Sequence, residues 1–421
     1  MTQIHIDGFH TDGSGMTKKD DYTYHIWNGL PGEDVEIEIS KKKRRHIEAL
    51  ATNILNPSPV RIEPLEKDFV SSSPWQIIEL ETELLFKRSI TTEVFKQLPD
   101  IIELFAKEKV FTDSTRLHYR HKMEYHIYTD EENNFHLGIF GRTEKKKIPI
   151  PPSILATDAL NLTASKIITW LDEVKFPRPL LKTIIIRSNT KGETVAGLFV
   201  KTHEIEQLRT NPFDNLTIYY SEPKSPASVA TELLVEAKKH TLTQSLLGMP
   251  FTYGLMSFFQ INPSVFEATL RDIEQFIEAG SSVVDFYSGV GTIGLSLRKI
   301  AKDIVLVEEN SDAVTFAKQN IENNNIQNAQ AFLGQAHTLR EYINAESILI
   351  VDPPRGGLHP KVIKKIIETL PPKLIYLSCN IESQARDLQD ILPFYKPVFA
   401  KLYNYFPMTP HVESLIVLER K

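Results

Sequence analysis

The run Val283-Val284-Asp285-Phe286-Tyr287-Ser288-Gly289-Val290-Gly291-Thr292-Ile293-Gly294 constrains the fold of this chain more than any other segment. An apolar stretch leads into three glycines at Gly-x-Gly-x-x-Gly spacing. Glycine lets the backbone turn sharply and come close to a ligand. A strand that passes through such a turn into a helix is the opening unit of a doubly wound sheet. From about Thr252 the chain keeps that rhythm. Strands are predicted at Val283–Phe286, Ile304–Val307, Ile348–Val351 and Leu374–Leu377, with helical segments between them. A helix is predicted from about Pro263 to Ile277, with Asn262 as N-cap and Gly280 past its end. Two final β-runs, Val398–Tyr405 and Ser414–Leu418, are expected to pair antiparallel at the sheet edge.

The rest of the chain has other patterns. Up to residue 55 it reads as short strands with Gly-rich turns, and Val35–Ile39 alternates with period two. Small barrels of this kind often bind RNA. Trp75 to about Phe105 is predicted helical. From about Tyr119 to Tyr220 the pattern is β, with Lys182–Arg187 and Ala196–Lys201 flanking the turn Asn189-Thr190-Lys191-Gly192. The expected class is therefore α/β. A doubly wound, Rossmann-like domain spans 241–421, preceded by a small β-barrel over 1–55 and an α+β central domain over 56–240.

Composition excludes several functions. The 421 residues contain no apolar run long enough to span a bilayer. The N-terminus has no basic-then-apolar secretory pattern, so a cytoplasmic location is expected. Cys379 is the only cysteine. One thiol cannot build a disulfide within the chain, a zinc–thiolate cluster or a four-cysteine iron–sulfur site. The 13 histidines are scattered, and no structural metal is expected. A net charge of −6 does not favour a polyanion, but local patches decide binding. Two basic runs, Lys41–Arg45 and Lys145–Lys147, are either solvated loops or nucleic-acid contacts.

In an open α/β sheet, ligands bind beyond the carboxyl ends of the strands. Tyr287, Glu308, Asp352 and Cys379 all fall there. Gly289, Gly291 and Gly294 match a dinucleotide fingerprint, which leaves an NAD-dependent oxidoreductase open. Asp285, expected inside the glycine turn, would repel a pyrophosphate and suit a sulfonium methyl donor with an amino-acid tail. Cys379 precedes a helix expected near Ile381, where the helix dipole favours a thiolate. Glu413 heads the last strand and could reach the same pocket. A thiol and a carboxylate are what carbon-5 methylation of uracil requires. The thiolate adds to carbon 6 and makes carbon 5 nucleophilic; a base then removes the carbon-5 proton. The base must leave its stack first.

The order of motifs resembles the RNA uracil-5-methyltransferase family, which includes large-subunit rRNA enzymes and the tRNA T-loop enzyme. The resemblance rests on Ser257–Asn262, Asp285–Gly291, Val307-Glu308-Glu309 with Asn320, Asp352–Leu358, Tyr376–Asn380 with Ala385–Leu388, and Phe406–Glu413. It implies a methyltransferase domain that uses S-adenosyl-L-methionine. Gln260, Tyr287, Glu308 and Asp352 would hold the donor, beside Gly289 and Gly291, with Gln335 at a further donor position. Cys379 would be the nucleophile and Glu413 the base. The N-terminal barrel resembles the RNA-binding TRAM domain of the rRNA enzymes. The family's rRNA members often carry an iron–sulfur cluster on a Cys-rich stretch. Here that stretch reads Ser71-Ser72-Ser73-Pro74-Trp75-Gln76, with Ser153 at a further cysteine position, so no cluster is expected. The expected partner is RNA, rRNA rather than tRNA because the barrel adds a second grip on phosphate. No membrane and no obligate protein partner are inferred. A cytosine-5-methyltransferase and a non-catalytic RNA-binding relic are the further alternatives.

Overall fold

The computed structural model describes residues 2–225 and 228–421. The chain divides into two compact units. One comprises 1–85, 115–242 and 407–410; the other comprises 86–114, 243–406 and 411–421.

The first unit opens with a six-stranded sheet. Thr2–His5 pairs with Asp34–Lys43, and Gly8–Phe9 pairs with Gly15–Lys19. One bent stretch thus supplies both ends of the strand order, and the sheet closes on itself as a small barrel. Ile4, Ile6, Ile26, Val35, Ile37 and Ile47 fill it. A seven-stranded sheet follows in the same unit. Its strand Leu181–Ser188 lies between Lys122–Thr129 and Thr194–Val200, antiparallel to both. The helix Asp158–Glu173 covers it, burying Leu160, Ala164, Ile167 and Leu171. Thr157 caps that helix by accepting from Leu160 N–H.

The predicted helical stretch from Trp75 is two helices, Leu80–Val94 and Pro99–Lys107. Pro99 lacks the N–H that a continuing helix needs, so it starts a new one.

The second unit is built on a seven-stranded sheet. In spatial order its strands are Ala329–Leu333, Asp303–Glu308, Ser282–Phe286, Ile348–Val351, Lys373–Ser378, Glu413–Arg420 and Tyr395–Tyr403. The first five run parallel and the last two are antiparallel to their neighbours. The doubly wound reading is borne out, including the antiparallel closing pair. Ile348–Val351 and Lys373–Ser378 are buried along their whole length, as strands covered on both faces must be. The helix Pro263–Glu274 is capped by Asn262, which accepts from Val265 N–H, and has Pro263 in its first turn.

Candidate active site

Register places the functional groups. Phe286 pairs with Val307 and with Val351, and Val351 pairs with Tyr376. The next residues along, Tyr287, Glu308 and Asp352, therefore form one row beyond the strand ends. Ser378 pairs with Ser414 in the antiparallel direction. Continued by one residue, that register sets Cys379 opposite Glu413. A cavity of about 400 Å³ lies over this rim, and Gln260, Tyr287, Glu308, Asp352, Cys379 and Glu413 all line it.

The glycine turn is braced from several sides. Gly289 N–H donates to Glu308 Oε2 at 2.9 Å, and Asn310 N–H donates to Glu308 Oε1 at 2.8 Å. The Glu308 carboxylate is thereby fixed while its remaining lone pairs stay available. Asn320 donates to the carbonyls of Val290 and Thr252. Tyr287 sits at φ 62°, a left-handed conformation costly for a non-glycine residue and concentrated at functional sites. Gly289 lines the cavity at φ 55°, and a Cβ there would meet nothing closer than the Phe258 carbonyl at 3.8 Å. The space in front of it is open to the cavity.

The remaining walls are equally well held. Asn380 donates to the Arg355 carbonyl at 2.7 Å and caps the helix Ile381–Ile391. Asp387 accepts from Leu358 N–H and from the Tyr376 hydroxyl. These bonds tie the Asp352–Leu358 loop to the Cys379 turn. Lys87, fully buried, donates to Asn404 Oδ1 and to the Phe406 carbonyl, and Phe406 lines the cavity.

Not every residue selected from the sequence faces the cavity. Gly291 is outside the lining; a Cβ on it would come within 2.9 Å of Leu295 and Leu306, so its place is in helix packing. Gln335 is exposed and also outside it. Asp285 points inward from the strand, not into the turn. Its side chain is fully buried, and Oδ2 accepts from Gly294 N–H at 2.9 Å. Sequence reasoning missed Arg355, Phe258 and Phe406 as lining residues and Lys87 as the support of Phe406. Arg355 stood in a noted motif, but nothing local distinguishes its guanidinium from a solvated one.

The electrostatics are dominated by carboxyls. Glu308, Glu309, Asp352 and Glu413 line the cavity against one cation, Arg355. Burial, then the charge of Asp352, pushes Glu413 well up, with Arg355 pulling the other way. Burial also raises Asp352. The Cys379 thiol is pushed up to about 12 by burial, then by Glu413 and Asp352; Arg355 opposes this by charge and by a hydrogen bond. The helix start was expected to favour the thiolate. Desolvation and two nearby acids outweigh it, and the resting group is a thiol. Such a cavity suits a cation and disfavours a pyrophosphate, which argues against a dinucleotide.

A doubly wound sheet with an acid-rich ligand cavity, a braced glycine turn and a cysteine beside a glutamate defines a class of nucleotide-handling transfer enzymes. Comparison with known proteins narrows it. The chain belongs to the tRNA (uracil-5-)-methyltransferase family, whose model matches residues 91–421. It is similar to an uncharacterized RNA methyltransferase of Caldanaerobacter subterraneus, 27% identical over 447 residues, covering 100% of this chain and 99% of the relative. Another uncharacterized RNA methyltransferase, from Lactiplantibacillus plantarum, is 26% identical and covers 93% and 86% respectively. Among solved structures, the Pyrococcus abyssi tRNA (uracil-54, C5)-methyltransferase in complex with S-adenosyl-L-homocysteine has a TM-score of 0.80 at 21% identity, covering 99% of this chain and 100% of that one. That likeness establishes the shared fold. The chain is an RNA methyltransferase. Among the described residues, no helix is long and apolar enough to cross a membrane.

Proposed function

We propose that this protein transfers a methyl group from S-adenosyl-L-methionine to carbon 5 of a uridine in RNA through a covalent Cys379 adduct. The observation that carries the reading is the register Ser378↔Ser414, which sets Cys379 and Glu413 side by side on a cavity lined by four carboxyls. The bound donor supplies an electrophilic methyl group and a positive charge that this cavity fits. The same cavity walls, Gln260, Tyr287, Glu308 and Asp352, would hold it, with Gly289 leaving room for it.

The chain's own groups do the rest. Burial and neighbouring acid make Cys379 and Glu413 both hold their protons more tightly than usual, and both ionise more readily with a cation beside them. The Cys379 thiolate adds to carbon 6 of the uracil and drives electrons towards carbon 5 and the O4 carbonyl. Carbon 5 then takes the methyl group as the methyl–sulfur bond of the donor breaks, its electron pair staying on sulfur and S-adenosyl-L-homocysteine leaving. Glu413 removes the carbon-5 proton, the carbon–sulfur bond breaks, and the thiolate is restored. Phe258, 63% exposed at the cavity, offers a ring face for an unstacked base.

Large-subunit rRNA is the substrate we favour, because a long RNA segment can use a second, sequence-independent grip on phosphate and the Lys41–Arg45 run offers one. The run forms a hairpin tip in the barrel, with Lys42 over the Tyr22 ring and Arg44 and Arg45 exposed. Cations in that position add a grip on phosphate outside the cavity. A second reading, tRNA, is favoured by the Pyrococcus protein, which is described as a tRNA enzyme and shares the fold over nearly the whole chain. Unmodified large-subunit rRNA fragments and tRNA transcripts, offered side by side with labelled donor, separate the two. The expected result is label at carbon 5 of one uridine in rRNA, abolished by Cys379→Ala. Label in tRNA alone would move the substrate assignment. Label on a cytosine, or full activity of Cys379→Ala, would overturn the chemistry.

A further inference from the structure

Three side chains with metal-ligand chemistry meet outside the cavity, in the N-terminal barrel. His10 and Asp12 stand in the turn between Gly8–Phe9 and Gly15–Lys19. His25 lies in the strand Tyr22–Trp27, where it pairs with Met16. Strand pairing therefore brings together groups that sequence spacing leaves apart. One ligand atom from each of the three lies within 4.8 Å of the other two.

The spacings are hydrogen-bond lengths that a small ion can also span; His10 Nδ1 accepts from Asp12 N–H at 3.2 Å, a bond the ion would replace. His10 Nδ1 is 3.1 Å from Asp12 Oδ1, and His25 Nδ1 is 3.4 Å from Asp12 Oδ2. The two imidazole centroids are 4.1 Å apart. A tetrahedral ion about 2.0–2.1 Å from its ligands holds neighbouring donors roughly 3.3–3.4 Å apart. Bringing all three donors onto one ion requires the His10 ring to leave Asp12 N–H and the two imidazole nitrogens to draw in from a separation of up to 4.8 Å. Asp12 is already oriented, because its Oδ1 accepts from Ser14 N–H at 2.9 Å and from the Ser14 hydroxyl at 2.6 Å. Ligating carboxylates need outer support of this kind. His25 is 13% exposed, whereas His10 and Asp12 are 36% and 43% exposed. An ion can enter from solvent and keep a water as its fourth ligand. Two imidazoles and one carboxylate form a nitrogen and oxygen set suited to Zn²⁺.

We propose that His10, Asp12 and His25 form a Zn²⁺-type metal site in the N-terminal barrel, separate from the methyl-transfer cavity. The ion would pin the turn at residues 10–14 to the strand Tyr22–Trp27. The test is calorimetric titration of the metal-free full-length protein with Zn²⁺, with Co²⁺ absorption as a readout of geometry. The wild type should bind one equivalent and give a tetrahedral Co²⁺ spectrum. Asp12→Asn and His25→Asn should each lose that equivalent while keeping the circular dichroism of the wild type. Ser14→Ala, which keeps every ligand, should weaken binding by about tenfold. Cys379→Ser should bind as the wild type does. No uptake by the wild type, equal uptake by the Asp12 and His25 variants, or loss only in Cys379→Ser would overturn the assignment.

Discussion

Replacing Asp285 by Asn removes an acid that the fold keeps neutral. The side chain is fully buried, Oδ2 accepts from Gly294 N–H, and Oδ1 has no partner among the described residues. Burial lifts the carboxyl from its ordinary 3.8 to about 8; the Gly294 bond opposes this, and the charges of Asp352 and Glu308 add to it. Below about pH 4 the acid is neutral both folded and unfolded, and it has no effect on the pH slope. Between about pH 4 and 8 only the unfolded chain ionises. Stability then falls by about 1.4 kcal/mol for each pH unit, a loss of about 4 kcal/mol at pH 7. Asn is neutral throughout and keeps a carbonyl for Gly294. Its NH₂ brings two N–H donors where the neutral acid has one O–H, so one further unpartnered donor costs about 1–3 kcal/mol, the same at every pH. Urea unfolding at pH 5 and pH 8 should show the stability of Asp285→Asn relative to wild type rising by about 3–4 kcal/mol across the range. Parallel pH dependences for the two proteins would refute the reasoning.

Other outcomes follow from the same geometry. Gly291→Ala combines φ 87° with Cβ contacts of 2.8 and 2.9 Å to Leu295 and Leu306, and should cost about 1–3 kcal/mol in thermal unfolding. Gly356→Ala meets nothing within 4 Å and should be near neutral. In donor-free enzyme the Cys379 thiol, raised to about 12, should react with iodoacetamide about tenfold faster per pH unit, with no plateau below about pH 10. A plateau near pH 7 would show a resting thiolate instead. Lys87→Met should lower methyl transfer by weakening the Phe406 wall while leaving donor affinity close to wild type in calorimetry.

Local signals made the sheet legible. The run Ile348–Val351 is apolar throughout and matches its strand residue for residue, because a strand buried on both faces has no polar alternation to blur it. Asn262-Pro263 marked its helix start for the same local reasons. Non-local features were less readable. The high thiol affinity of Cys379 for its proton depends on Asp352 and Glu413, which only strand order brings close. The inward turn of Asp285 depends on Gly294 arriving above it. Residues 86–114 group with the sheet of the second unit through contacts such as the Phe111–Tyr403 bridge, far apart in sequence. His10, Asp12 and His25 looked scattered because the barrel's strand pairing, not spacing, assembles them.

In the proposed reaction Cys379 carries the uridine and Glu413 releases it. Glu413→Gln keeps the shape of the wall but cannot take the carbon-5 proton. Incubated with substrate RNA and S-adenosyl-L-methionine, then digested and analysed by mass spectrometry, this variant should accumulate a Cys379 peptide joined to a methylated uridine. Normal turnover without such an adduct, or an adduct on any residue other than Cys379, would contradict the account.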